Sequence, residues 1–256
     1  MFYQKTLKTV AYFVFRELEE IPGFLHAFGT RRGQPSQAPV APESLSRAQT
    51  ELMQALVLSM GGAILLRQVH SDRVVEADSS EAQAEVPRVL GPADAVVTTA
   101  PGQFPILMTA DCLPILMVLP GSRRVCSVHA GRRGTSSRIT LKALRSFLTS
   151  TGSTAGEIVA AIGPCIRRCC YEVGPEVLAE YEAAGHDLAS IAQGRKLDLV
   201  EANRLQLEQA GVKRILDSGM CTRCRTDLFF SYRGEGAGTG RNLTIAGFKP
   251  VARLTG

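Results

Sequence analysis

AVVTTAPGQFPILMTADCLPILMVLPGSRRVCSVHA (Ala95–Ala130) carries four apolar runs in quick succession, at Ala95–Thr98, Pro105–Met108, Pro114–Leu119 and Val125–Val128. Each is short, rich in Val, Ile, Leu and Met, and closed by Gly, Pro, Asp or Arg. Runs of this length with no polar alternation mark strands covered on both faces, so the stretch predicts the strands of a buried sheet. Upstream, Thr9–Phe15 and Phe24–Phe28 also read as strands, and Gly29–Ser36 breaks into a loop. Ser44–Met60 has helical spacing and stops at Gly61-Gly62. Ile64–Leu66 leads into His70, with Arg73–Glu76 expected as the return strand of a hairpin and 78–91 as an exposed loop. Downstream, Ser137–Leu148 predicts a helix with a basic face, and Glu157–Ile162 a strand ended by Gly163-Pro164. Pro175–Ala184 and Asp198–Ala210 predict helices, and Leu243–Phe248 a last strand. Strands and helices mixed in this way, with no repeat or low-complexity linker, predict an α/β fold in one domain over residues 1–256.

Composition narrows the function. Of 256 residues, 45% are hydrophobic and 21% charged, ordinary values for a globular chain with a sizeable core. The formal charge of +5 is spread thinly, as Arg pairs such as Arg31-Arg32, Arg132-Arg133 and Arg167-Arg168. A nucleic-acid binder needs a dense basic stripe with aromatics, so no nucleic-acid partner is expected; scattered Arg suits small anions such as phosphate. No apolar run reaches the ~18 residues of a membrane span, and the N-terminus lacks an export signal's apolar core. A cytoplasmic protein with no membrane partner is expected, a monomer or weak homo-oligomer. Seven scattered cysteines argue for reduced thiols and metal or catalytic use rather than a disulfide scaffold.

Two of the four histidines and one cysteine end apolar runs, each followed by a turn: Arg67-Gln68-Val69-His70, Ala110-Asp111-Cys112 and Ser127-Val128-His129. Strand-to-loop handovers are where sheet-based enzymes keep their chemistry. A catalytic zinc takes three soft protein ligands and keeps an open position, which His70, Cys112 and His129 satisfy. Their spacings, 42 and 17 residues, match no zinc finger or ribbon. Without metal, Cys112 and His129 form an alternative thiolate–imidazolium pair for a thiol hydrolase or amidase, with backbone N–H groups as an oxyanion hole. A third alternative is a binding protein with a structural zinc. Cys126, three residues before His129, faces the opposite side of its strand and is expected in the core. Cys221-x-x-Cys224 and Cys169-Cys170 are expected to be buried, reduced structural thiols, because adjacent cysteines lack the usual chelate spacing.

The motifs Arg67–His70, Thr109–Cys112, Val128–Gly134, Ile162–Ile166, Cys169–Val173, Asp198–Asn203 and Asp227–Arg233 run in order over nearly the whole chain. Together they resemble the laccase-domain proteins, formerly called polyphenol oxidases and now regarded as purine nucleoside phosphorylases. The resemblance implies a four-layer α-β-β-α sandwich, shared with toxins that use a Cys-His pair. It implies a zinc on His70, Cys112 and His129, with copper the alternative occupant of the same site. It also implies phosphorolysis of adenosine, inosine, guanosine and methylthioadenosine, with adenosine deamination beside it. The family usually has Trp where Arg132 stands, and a small residue plus Pro where Arg167-Arg168 stands. Full multicopper chemistry, the oldest reading, needs about eight imidazoles for its trinuclear cluster alone, and the chain has four histidines. For purine nucleosides and phosphate as substrates, Arg133 is the leading phosphate candidate, followed by Arg31 and Arg67. Asp111 is placed to orient a ligand or a substrate hydroxyl, and Gln68 to meet the base.

Overall fold

The computed structural model describes residues 1–7, 10–33, 50–53, 56, 60–78 and 87–250. Its strands begin with β1 (Phe2–Leu7), β2 (Val10–Phe15), β3 (Phe24–Gly29), β4 (Ala63–Arg67) and β5 (Val74–Ala77). There follow β6 (Arg88–Pro92), β7 (Ala95–Thr98), β8 (Phe104–Thr109), β9 (Leu113–Leu119) and β10 (Arg124–Ala130). The rest are β11 (Val159–Ile162), β12 (Ala192–Gln193), β13 (Lys196–Leu197), β14 (Arg214–Asp217) and β15 (Asn242–Phe248). One large sheet has the order β1-β2-β3-β15-β8-β4-β6 and the other β14-β11-β9-β10-β7-β5, while β12 and β13 form a small two-stranded sheet of their own.

Strand alternation sorts the side chains into layers. Phe13, Phe15 and Phe28 of the first sheet meet Leu116, Val118, Val125 and Val159 of the second, forming the core between the sheets. The intervening positions face outward. Ile115, Met117, Cys126 and Val128 pack under Ile139, Leu144 and Phe147 of the helix Ile139–Thr151 and under Val200 and Leu207 of the helix Leu199–Gln209. On the far side, Val10, Tyr12, Leu65 and Ile106 meet Leu52 and Met53, whose segment, residues 50–53, is helical. The result is the expected α-β-β-α order. Because nearly every strand is covered on both faces, the runs read as continuously apolar. Removing one of the large central rings, such as Phe28, costs about 3–5 kcal/mol.

Several expectations are corrected. The four runs of Ala95–Ala130 do not share one sheet: β8 pairs with β4 and β15, whereas β7, β9 and β10 lie together in the other. The chain changes sheets in the reversal between β8 and β9, where Asp111 has φ 88°. No hairpin joins β4 to β5. β4 runs parallel to β6 and β8, and β5 runs parallel to β7 in the other sheet. His70, at φ 57°, turns the chain across. The end of the expected loop 78–91 is strand β6, an edge beside β4, while 79–86 lie outside the described residues. Most of the Ser44–Met60 helix and the end of the Gly29–Ser36 loop also lie outside them.

Candidate metal centre

Both sheet crossings feed one place. His70 lies on the passage from β4 to β5, Cys112 on the passage from β8 to β9, and His129 within β10, the neighbour of β9. The Cys112 Sγ is 3.9 Å from His70 Nδ1, and the two imidazole rings are 4.9 Å apart at 58°. One ligand atom from each of the three lies within 4.8 Å of the others. Two crossings between sheets thus converge residues 42 and 17 positions apart in the chain.

Asp94 organises the cluster, and the sequence reading missed it. Its buried carboxylate accepts from the backbone N–H of Val69, His70 and Ser71 at 3.3, 3.0 and 2.6 Å, and from Ser71 Oγ at 2.7 Å. It also takes the His129 Nδ1 proton at 2.8 Å. That bond fixes the tautomer and leaves Nε2 of His129 for another partner, the carboxylate–histidine arrangement typical of metal sites. Burial pushes the Asp94 carboxyl up, but the bonds from His129 and Ser71 outweigh it and hold it at about 2. Burial also opposes ionising Cys112 and His129. Their mutual attraction wins, bringing the Cys112 thiol down to about 6 and raising His129 to about 9, with Asp94 reinforcing the histidine. Such a pair yields a thiolate readily, the form a metal ligand needs.

Gly131 completes the cradle. A Cβ there would lie 2.9 Å from His70 Nδ1 and 3.0 Å from Cys112 Sγ, so only glycine lets the backbone approach this closely. Soft thiolate and imidazole donors, a carboxylate behind one ring and a side-chain-free wall suit a zinc-type ion.

The cluster opens into a cleft of about 720 Å³, lined also by Gln68, Asp111, Arg133, Tyr171, Arg233 and Arg241; ligand pockets usually span about 300–1,000 Å³. Among the described residues, no hydrogen bond or ion pair holds the exposed guanidinium of Arg133. Gln68 reaches the cleft, but its amide continues the β4–β8 ladder, donating to Met108 O at 3.0 Å and accepting from Met108 N at 2.8 Å. The Asp111 carboxylate turns to the loops behind, accepting from Thr222 Oγ1 at 2.6 Å and from the Arg233 N–H at 2.7 Å. Arg31 and Arg67 do not line the cleft. Arg31 bonds Thr226 O, pairs with Glu235 at 2.9 Å and lies over the Phe230 ring, while Arg67 ends β4 facing solvent. Arg132 lines the cleft and is ion-paired to Glu180. Arg167 makes a two-pronged bond to Asp217, 2.8 Å on each arm.

Tyr171, Arg233 and Arg241 were not singled out. Arg233 donates to Glu172 O at 2.8 Å and lies over the Tyr171 ring at 5.2 Å, so the two side chains form one wall. The sequence signal for Tyr171 and Arg233 was membership in the motifs Cys169–Val173 and Asp227–Arg233; Arg241 lies in neither. Behind the cleft, buried Asn203 bonds Thr135 Oγ1 at 2.9 Å and accepts from Thr140 Oγ1 at 2.6 Å, fixing the segment after His129.

The fold and site define a class: a two-sheet α/β sandwich with a His-Cys-His cluster, a candidate metal site, where the chain passes between its sheets. The chain belongs to the family described as multi-copper polyphenol oxidoreductase laccase, whose model matches residues 34–249. It is 35% identical to a purine nucleoside phosphorylase of Deinococcus radiodurans over 244 residues, 90% of this chain and 92% of that one. It is 36% identical to the adenosine deaminase RL5 of an unknown prokaryotic organism over 208 residues, 77% of this chain and 79% of that one. The hypothetical protein YfiH of Bacillus licheniformis superposes with a TM-score of 0.84 at 24% identity, covering 96% of this chain and 99% of that one, and shares the fold. No helix among the described residues is long and apolar enough to cross a membrane.

Proposed function

We propose that the protein is a zinc-dependent purine nucleoside phosphorylase, cleaving adenosine, inosine, guanosine and methylthioadenosine with phosphate and also deaminating adenosine. It would act as one cytoplasmic domain over residues 1–256. The observation that carries this reading is the convergence of His70, Cys112 and His129 on a cleft of about 720 Å³; the relatives named for these two activities support it. Zinc bound there supplies a Lewis acid that lowers the pKa of water or polarises a substrate oxygen. Copper at the same three ligands is the alternative, favoured by intrinsic affinity.

The chain's own residues carry the rest. Arg133 offers its guanidinium to phosphate, which planar forks bind bidentately. Tyr171 and Arg233 present a flat wall on which a purine stacks, with Gln68 on the cleft lining beside Met108. Asp111 holds the loops that bring Arg233 to the cleft. Asp94 keeps His129 in the tautomer that leaves Nε2 available.

One observation favours a second reading. Cys112, His129 and Asp94 are also in the order of a thiol–imidazole–carboxylate triad. That reading leaves His70 without a task beside the sulfur. Incubating purified protein with adenosine, with and without phosphate, alongside metal analysis separates the two. Ribose 1-phosphate and adenine formed only with phosphate, and lost on chelation, are expected. Activity that survives chelation but not alkylation belongs to the thiol mechanism.

A further inference from the structure

The second cysteine group does not match the buried thiols expected from sequence. Cys169 and Cys224 are exposed, Cys170 is half-buried and Cys221 buried, and all four sulfurs lie within 4.8 Å of one another. The Cys224 sulfur is 3.4 Å from that of Cys170 and 3.7 Å from that of Cys169. A tetrahedral site with metal–sulfur bonds of about 2.3 Å has sulfur–sulfur edges of about 3.8 Å, so these spacings are those of thiolates around one ion. They are too close to enclose a multi-iron cluster. We propose that Cys169, Cys170, Cys221 and Cys224 form a second, structural metal site, a zinc tetrathiolate that fastens the 165–173 loop to the 218–228 loop.

The backbone prepares this arrangement. Cys165 and Cys221 form a parallel bridge, with Thr222 N donating to Cys165 O at 2.9 Å, which brings the two loops side by side. Arg225 N donates to Cys221 O at 3.0 Å, closing a tight turn over Cys221–Cys224, and the N–H groups of Cys224 and Arg167 point at the Cys221 sulfur. Amide donors aimed at a ligating sulfur are the outer support that metal sites require. Four thiolates around a divalent ion leave two negative charges, and Lys196 lines the same hollow, with Asp198 and with Arg167, Arg168 and Arg225, each ion-paired to an aspartate. Adjacent cysteines, which the chelate-spacing rule discounts, both contribute because the partner pair comes from another loop.

The site also reaches the cleft. Cys170 precedes Tyr171, and Thr222, inside the Cys221–Cys224 turn, donates to Asp111. The metal braces the wall from behind without touching the His70–Cys112–His129 group.

Zinc content of chelator-free protein under a phosphine reductant tests this in wild type, a Cys169→Ser/Cys224→Ser variant and Cys112→Ala. Two equivalents in wild type are expected, with the cysteine pair variant losing one and Cys112→Ala the other. As a check that needs no variant, cobalt added to apoprotein should give the intense thiolate charge-transfer absorption of a tetrathiolate and protect Cys169, Cys170, Cys221 and Cys224 from alkylation. One zinc in wild type, unchanged in the pair variant, overturns the proposal and leaves the nucleoside reading intact. So does a disulfide from Cys224 to Cys169 or Cys170 under these conditions, or iron with labile sulfide in place of zinc.

Discussion

Asp94→Asn probes the link between the fold and the proposed zinc. The carboxylate serves two groups: Oδ1 accepts from His70 N and His129 Nδ1, and Oδ2 from Val69 N, Ser71 N and Ser71 Oγ. Asparagine has one acceptor and one NH₂, so whichever way it sits, one group faces a donor. A buried donor left unmatched costs about 1–3 kcal/mol. For a chain of this size each kcal/mol lowers the melting temperature by about 2–4 °C, so the metal-free variant should remain folded and melt a few degrees lower. Zinc affinity falls further, because His129 loses the anion that sets its tautomer. Loss of such an outer carboxylate weakens binding about 10- to 100-fold. With its pKa lowered to about 2, the Asp94 contribution is complete above pH ~4 and lost as pH falls toward 2. A neutral-pH assay therefore sees all of it. Competition against a chromophoric chelator measures the affinity, and a melt in excess chelator measures the fold. An Asp94→Asn protein that holds zinc as tightly as wild type would refute the claim that this carboxylate organises the centre.

If Cys112 holds the proposed zinc, Cys112→Ala should release it and abolish the proposed phosphorolysis; turnover that persists in metal-free Cys112→Ala protein would sink the zinc reading. Gly131→Ala should cost at least tenfold in metal affinity with little change in melting temperature, because the new methyl meets His70 Nδ1 and Cys112 Sγ at about 3 Å, and equilibrium dialysis reads it. Arg133→Ala should raise KM for phosphate tenfold or more and leave KM for the nucleoside nearly unchanged; equal effects on both would remove Arg133 from the anion site. His26 is buried, accepts from Phe15 N at 2.8 Å, and has its pKa lowered by burial to about 4. The unfolded chain takes up a proton near pH 6.5 that the folded chain refuses, so stability falls from pH 6.5 toward 4 by about 3 kcal/mol in all. His26→Gln, which keeps an acceptor, should flatten that acid limb in urea titrations.

The sequence made the candidate ligands legible because each ends an apolar run, and it made the strands legible because burial on both faces leaves no polar interruption. It could not show which sheet a strand joins. Pro105–Met108 and Pro114–Leu119 are equally apolar, and their separation hangs on one left-handed residue, Asp111. Asp94 was illegible for a different reason: a single carboxylate before a strand acquires meaning only when five donors arrive from two other segments. Arg31 and Arg133 both lie in glycine-bearing stretches of the sequence, and only the structure shows that the first is already engaged, by Thr226 O, Glu235 and the Phe230 ring. The cysteine spacing could not show that Cys169, Cys170, Cys221 and Cys224 cluster, because it weighs each pair alone, while the loops carrying Cys169 and Cys221 are joined by a bridge between residues 165 and 221.

His70 and Cys112 arrive on separate passages between the sheets, and His129 belongs to the sheet those passages enter. An ion gripping all three acts as a rivet through a laminate, resisting slip of one layer over the other. Its removal should therefore loosen amide protection on both sides of the interlayer seam at once, instead of fraying whichever edge lies nearest.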